Sequence, residues 1–272
     1  MSAPGSPISK KNSTPTPRLR LAAPRGGHLL PGGGPAAKGT LHLIPVGLGD
    51  APVDSWLPAD ARALAARLDT YIAENAKTAR AFLKQVGAVR PIQEITIHTL
   101  EARTEASQLR EWIKPLKAGA EIGLVSEAGC PAVADPGARV VDLAHAGGHT
   151  VKPWVGPSSI LLGLMASGLD GQRFAFHGYA PVNPEERARQ LKTWEQQSAR
   201  ANQTQMLIET PYRNGAMFGT LLASLRGDTR LCIARSLTTP TEWIRTQTIA
   251  QWKQGPAPDL DKQATLFLFL AA

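Results

Sequence analysis

Ser126-Glu127-Ala128-Gly129-Cys130-Pro131-Ala132-Val133-Ala134-Asp135-Pro136-Gly137 separates the apolar run Glu121–Val125 from the helically spaced Arg139–Ala144. The first flank, Glu121-Ile122-Gly123-Leu124-Val125, reads as a strand buried on both faces. The second, with Val140, Val141, Leu143 and Ala144, reads as a helix that packs on such a strand. Small residues punctuated by Gly and Pro make a poor core. They suit a backbone that presses against a ligand, because Gly allows close approach and Pro fixes the path. Asp135-Pro136-Gly137 also starts the helix, with Asp135 as a cap and Pro136 in the first turn. That capping does not account for Gly129-Cys130-Pro131.

Working outward, two loops of the same kind follow apolar runs. Pro45-Val46-Gly47-Leu48-Gly49-Asp50 closes the strand Thr40 to Val46, and Val155-Gly156-Pro157-Ser158-Ser159 closes Thr150 to Val155. Between them strands and helices alternate. Ala59 to Leu68 has a helical apolar stripe, and Thr70-Tyr71-Ile72-Ala73 is a strand that ends at Glu74. Asn75 caps a helix carrying Ala79, Phe82, Leu83 and Val86, which Gly87 stops. Glu94 to Leu100 is a strand, and a helix from Thr104 carries Leu109, Trp112, Ile113 and Leu116 as far as Gly119. This alternation predicts an α/β fold with a largely parallel sheet, whose ligand loops lie beyond the carboxyl ends of the strands. The three Gly/Pro loops and Glu74 share that edge, so they are expected to converge on one small molecule.

After Val155 the pattern changes. Ile160 to Ser167 and Pro184 to Gln197 are helices, while Arg173 to Tyr179, Gln205 to Glu209 and Ala264 to Leu270 are strands. Arg230 to Leu237 and Thr241 to Ile249 form an antiparallel pair. The expected organisation is a disordered basic tail over 1–38, an α/β domain over 39–154, and an α/β domain with a mixed sheet over 155–272.

The charge narrows the function. The net charge is +8, but residues 1–38 hold six of the 30 Lys and Arg and no Asp or Glu. The remainder carries 24 basic against 22 acidic residues, so the basic signal belongs to the Pro-, Gly- and Ser-rich tail. The two cysteines, Cys130 and Cys232, form no framework, and no Cys/His spacing marks a metal site. A reducing cytoplasm and no metal are expected. No apolar run reaches membrane-span length; Ile160 to Met165 is a piece of a helix.

The loops do not match nucleotide fingerprints. Gly47-Leu48-Gly49 opens a G-x-G, but Pro52 stands where the third Gly is needed, and no G-K-[S/T] occurs. Ser158 or Ser159 caps the helix from Ile160, whose free N–H groups would suit a carboxylate. Cys130 has no histidine beside it in sequence and reads as a small thiol packed near ligand. Glu74, with Arg80 in the next helix, could orient a hydroxyl or an amine. Glu209-Thr210-Pro211-Tyr212-Arg213 joins a carboxylate, an aromatic face and a guanidinium, a set able to hold a base or a phosphate. Among the histidines, His177 in Phe174-Ala175-Phe176-His177-Gly178-Tyr179 is the one retained as a candidate.

In order along the chain stand G-T-L-x-x-I-P-V-G-L-G-D, A-E-N-x-x-x-A-R, S-E-A-G-C-P-x-x-A-D-P-G, V-G-P-S-S-I, F-x-F-H-G-Y-x-P and E-T-P-Y-R. Together, from Gly39 to about Ile249, they resemble the tetrapyrrole methylase superfamily, the class III S-adenosylmethionine (SAM) methyltransferases. Within it they are most similar to the ribosomal RNA small-subunit methyltransferase I group, which methylates a cytidine ribose 2′-oxygen. The resemblance implies two α/β domains with SAM in the cleft between them, and a cytoplasmic homodimer. It implies a cofactor lining of Val46, Gly47, Leu48, Gly49, Gly129, Cys130, Val133, Ser158, Ser159, Ile160, Ile208, Glu209 and Ala234. Displacement at a sulfonium needs little beyond in-line positioning, plus a base if the acceptor is a hydroxyl. Glu74, Glu127 and Asp135 are the base candidates, and Arg80, His177, Tyr212 and Arg213 the substrate-binding ones. Ribosomal RNA is the expected acceptor; a tetrapyrrole or other small molecule, and a SAM- or RNA-binding role without catalysis, are the alternatives.

Overall fold

Two five-stranded sheets form the framework of residues 39–272, the part that the computed structural model describes. The reading of residues 1–38 as a disordered tail lies outside the described residues. The first sheet joins β1 (Thr40–Leu43), β2 (Thr70–Ala73), β3 (Thr96–Thr99), β4 (Glu121–Val125) and β5 (Thr150–Pro153). Its order is β3-β2-β4-β1-β5 and every pairing is parallel, as the alternation predicts. Helices cover both faces. On one, α1 (Ala59–Arg67) and α2 (Ala76–Val86) bring Leu64, Phe82 and Leu83 against Ile44, Tyr71 and Val125. On the other, α3 (Ala106–Ile113) and α4 (Ala138–Ala146) bring Leu109, Ile113 and Val140 against Leu41, Ile72 and Leu124. Deleting a fully buried side chain from such a core costs about 2–5 kcal/mol.

Local chemistry sets the ends of these elements. Asn75 Oδ1 accepts from the Lys77 N–H at 2.8 Å and the Thr78 N–H at 3.4 Å, which fixes the start of α2 right after Glu74. Gly87 ends the helix in the left-handed region at φ +78°. Gly123 lies beside Tyr71 in the sheet, and a Cβ there would fall 2.5 Å from the Tyr71 ring. The missing side chain is what lets the fully buried ring cross β4.

The second sheet joins β6 (Phe174–Tyr179), β7 (Thr204–Ile208), β8 (Arg230–Arg235), β9 (Trp243–Thr248) and β10 (Thr265–Leu270) in the order β6-β7-β10-β8-β9. Only β6 and β7 run parallel, so this sheet is mixed. Alternation along β10 divides its core. Phe267 and Phe269 meet α6 (Pro184–Ala201), α7 (Asn214–Ser224) and α8 (Ile249–Gln254), whereas Leu266 and Leu268 face α5 (Ser159–Ser167). Gly163 brings α5 close to β10: a Cβ there would lie 2.5 Å from Leu266.

Two helices lie outside the sequence expectation. The expected strand Thr241 to Ile249 is β9, which stops at Thr248, and Ile249 instead opens α8, because Thr248 and Gln251 form a reciprocal capping box that starts a helix. The helix α7 was not foreseen at all.

Candidate active site

The three Gly/Pro loops meet at the carboxyl edge of the parallel sheet, and they are bonded to one another. Val46 N–H donates to Gly129 O at 3.0 Å, and Gly129 N–H donates to Val46 O at 3.1 Å. Gly129 sits at φ +72°, a conformation that a side chain would oppose. The Cys130 thiol donates to Pro157 O at 3.4 Å. Gly156 lies so close to Pro45 that a Cβ would fall 2.4 Å from it. First, central and third loops thereby brace each other.

Asp135 shapes the central loop. Its two carboxylate oxygens each accept from the Ala132 N–H at 3.0 Å, and Oδ1 accepts from the Gly137 N–H at 2.7 Å. Ala132 and Ala134 are held at φ +68° and +61°, a region that costs a non-Gly residue about 1–3 kcal/mol. Burial raises the pKa of Asp135, and the bonds from Gly137 and Ala132 oppose that rise. Asp135 thus organises backbone within the loop and is not the helix cap that the sequence suggests, because α4 begins after Gly137, which holds the cap position with no side-chain cap bond.

Glu74, at the end of β2, accepts from the Glu127 N–H at 3.2 Å. Burial raises its pKa first, and the neighbouring Asp135 charge adds to the rise. At the end of β7, Glu209 Oε1 accepts from Arg213 Nη2 at 2.5 Å, Arg213 Nε at 3.0 Å and the Thr210 N–H at 2.7 Å. Its other oxygen, Oε2, is buried without a partner among the described residues. At the start of α5, Ser158 occupies the cap position, yet no side-chain bond closes the helix end. The expected hydroxyl cap is therefore absent.

A cavity of about 450 Å³ opens between the two sheets. Of the residues singled out from sequence, Leu48, Gly129, Cys130, Val133, Ser158, Ser159, Ile160, Ile208, Glu209 and Ala234 line it, as do Glu74, Glu127 and Asp135. Val46, Gly47 and Gly49 do not line it. Val46 is used in the bridge to Gly129, Gly47 faces Trp56, and Gly49 faces Thr239. The four expected substrate contacts are not lining residues. Arg80 is exposed on α2, where among the described residues its guanidinium bonds only the Ala76 carbonyl, at 3.4 Å. Tyr212 is 79% exposed, and Arg213 is engaged by Glu209. His177 points to the opposite face of the second sheet, stacked on Trp194 at 4.0 Å and bonded to Gln205 at 2.7 Å. Burial lowers its pKa, with the Gln205 bond opposing.

On the side of the second sheet, sequence reasoning found Ile208, Glu209 and Ala234 but missed Phe176, Tyr179, Leu237, Thr265 and Leu266. The alternation of Phe174-Ala175-Phe176 was an available signal for one lining position; the β10 contribution depends on long-range pairing. Among the described residues, no group of three or more His, Cys, Asp or Glu is placed to hold a metal ion.

No protein-family profile matches the chain. It is 31% identical over 236 residues to a ribosomal RNA small subunit methyltransferase I of Xylella fastidiosa (strain Temecula1), covering 85% of this chain and 81% of that one. It is 28% identical over 223 residues to the protein of the same description from Neisseria meningitidis serogroup B (strain MC58), covering 81% and 72%. Among solved structures, the cobalamin biosynthetic enzyme cobalt precorrin-4 methyltransferase aligns with a TM-score of 0.55 at 14% identity, covering 85% of this chain and 94% of that one. That likeness shows a shared fold. The chain belongs to the ribosomal RNA small subunit methyltransferase I family, a group of methyltransferases built on the tetrapyrrole methylase fold.

Proposed function

We propose that the cavity between the sheets holds SAM and that the chain methylates small-subunit ribosomal RNA, at the ribose 2′-oxygen of a cytidine. The observation that carries this reading is the mutual bracing of three loops around a cavity that also takes in the second sheet. Its volume of about 450 Å³ lies in the usual range for a small-molecule site. The chemistry of the lining fits a nucleoside that carries an amino acid. Glu209 Oε2 is a buried acceptor in need of a donor such as an amine. The uncapped start of α5, with Ser158 and Ser159 in the wall, offers N–H and hydroxyl donors to a carboxylate. Gly129 lets the backbone itself approach. When bound, SAM supplies a methyl group on a sulfonium, which a hydroxyl oxygen can attack in line.

The protein's share is positioning and one proton. Of the three carboxylates in the wall, Asp135 is engaged by backbone N–H groups, and Glu127 is exposed while its own N–H orients Glu74. Glu74 is the group left to take the proton of a ribose hydroxyl, and its raised pKa brings it closer to the range useful for a base. Arg80 and Tyr212, both exposed, offer a guanidinium for a phosphate and a ring for a base. Arg213 positions Glu209 in place of the phosphate role expected for it. The reading includes a cytoplasmic homodimer, as the family resemblance implies. No helix among the described residues is long and apolar enough to cross a membrane.

The test is transfer of labelled methyl from SAM to isolated small ribosomal subunits and to their stripped RNA. Label in RNA, recovered in an alkali-resistant dinucleotide that contains cytidine, is expected. Label confined to a tetrapyrrole or another small molecule would overturn the reading.

A further inference from the structure

We propose that the cavity end of β8 and β9 is a second contact surface for the RNA, centred on Trp243 with Arg235 and Arg245. This rests on the RNA reading above and extends it to a surface outside the cavity. Arg235 and Trp243 are direct cross-strand partners, and Arg245 lies two residues along β9 on the same face. The guanidinium carbons of Arg235 and Arg245 lie 5.5 and 5.6 Å from the centre of the Trp243 ring, both within cation–π range. The indole is anchored from behind. It lies 6.2 Å from Trp252, which meets Phe218 edge-on at 5.7 Å in the core under α7 and α8.

Placement ties this cluster to the active site. Arg235 follows Ala234 and is paired with Thr265, and both of those line the cavity. Strand alternation turns Ala234 toward the cavity and Arg235 away from it, so the cluster sits around the rim from the reaction. Arg245 is exposed and has no carboxylate within ion-pair distance among the described residues. Arg235 bonds the Asp259 carbonyl at 2.8 Å, with the Asp259 carboxylate 3.9 Å away, and its Nε is buried without a partner among the described residues. Outside residues 1–38 the acids and bases nearly balance, so two arginines on one ring form a local feature. A charge on an edge strand needs no aromatic partner to deter unwanted pairing. Guanidinium groups held beside an indole match a single-stranded RNA, whose phosphates take the N–H forks and whose bases stack on flat faces.

The test uses the full chain and a transcript of small-subunit ribosomal RNA, with R245E and R245K compared across a salt series. R245E should weaken RNA binding about tenfold and lower the slope of log K against log salt by about one, with the loss in turnover falling on KM. R245K should restore the slope. Affinity for S-adenosylhomocysteine and the melting temperature should follow the wild type. RNA affinity unchanged in R245E would overturn the inference, as would a parallel loss of S-adenosylhomocysteine affinity or thermal stability. A shift in oligomeric state would overturn it too, by making this face a protein interface. Wild-type protein that neither binds nor methylates the RNA would overturn both this inference and the reading beneath it.

Discussion

Arg213→Ala isolates the role that the structure gives to the Glu209–Arg213 pair. The Glu209 side chain is 0% exposed and that of Arg213 31%, so water reaches the guanidinium but not the carboxylate. Removing the arginine leaves a buried charge that retains only the Thr210 N–H bond, at 2.7 Å. Breaking a buried pair costs about 3–5 kcal/mol, and partial access of water to this one lowers the expectation to about 2–4 kcal/mol. For a chain of this size about 3 kcal/mol corresponds to a fall in melting temperature of roughly 6–12 °C. Glu209→Gln should cost less, because Arg213 can turn to solvent and the amide oxygen can still accept. The double variant should then be more stable than the summed losses predict, by about 1–3 kcal/mol. Thermal unfolding of the four proteins measures all of this. A shift under about 2 °C in R213A, or strict additivity in the cycle, would refute the pair as a buried unit. It would return Arg213 to the substrate.

Two other predictions concern titrating groups. Because burial and the Asp135 charge raise Glu74, methyl transfer should decline as pH falls through a value above the ordinary carboxylate 4.5. Glu74→Gln should remove that limb and lower kcat by about 10²–10⁴-fold, read from pH–rate profiles. On the first sheet, Arg67 above all, and His42 as well, hold Glu121 down at about 2 against the opposing effect of burial. A lowered acid contributes stability that is complete above 4.5 and is lost as pH falls toward 2. The melting temperatures of wild type and Glu121→Gln should therefore differ near neutrality and converge in acid.

The parallel sheet was legible because its central strands β2 and β4 are short apolar runs and its helices carry local punctuation. Asn75 and Gly87 bound α2 where the sequence places them. The gathering of Glu74, Gly129, Cys130 and Ser158 around one cavity also followed from the rule that ligand loops share the carboxyl edge. What escaped has physical causes. The helix α7 hid because its sequence, Asn-Gly-Ala-Met-Phe-Gly-Thr-Leu-Leu-Ala-Ser, carries two glycines and no charged residue to mark a solvent face. α8 hid just beyond the end of an expected strand, since Thr248 and Gln251 act as a start signal only once their side chains reach back to the backbone. His177 was misplaced because strand alternation, which puts Phe176 in the cavity wall, turns its neighbour toward α6. Arg213 stands four residues after Glu209, a separation open to an ion pair in sequence, but its burial could be known only from the fold.

Titration of S-adenosylhomocysteine into wild type and Gly129→Val, followed by calorimetry, bears most directly on the cavity. In the variant a β-branched side chain would have to adopt φ +72°, with its Cβ 3.3 Å from Leu48 and 3.5 Å from Pro157 O. The account predicts one ligand per chain for the wild type and no measurable heat for Gly129→Val that still melts cooperatively. A wild-type chain that binds nothing, or a variant that binds with unchanged affinity, would contradict it.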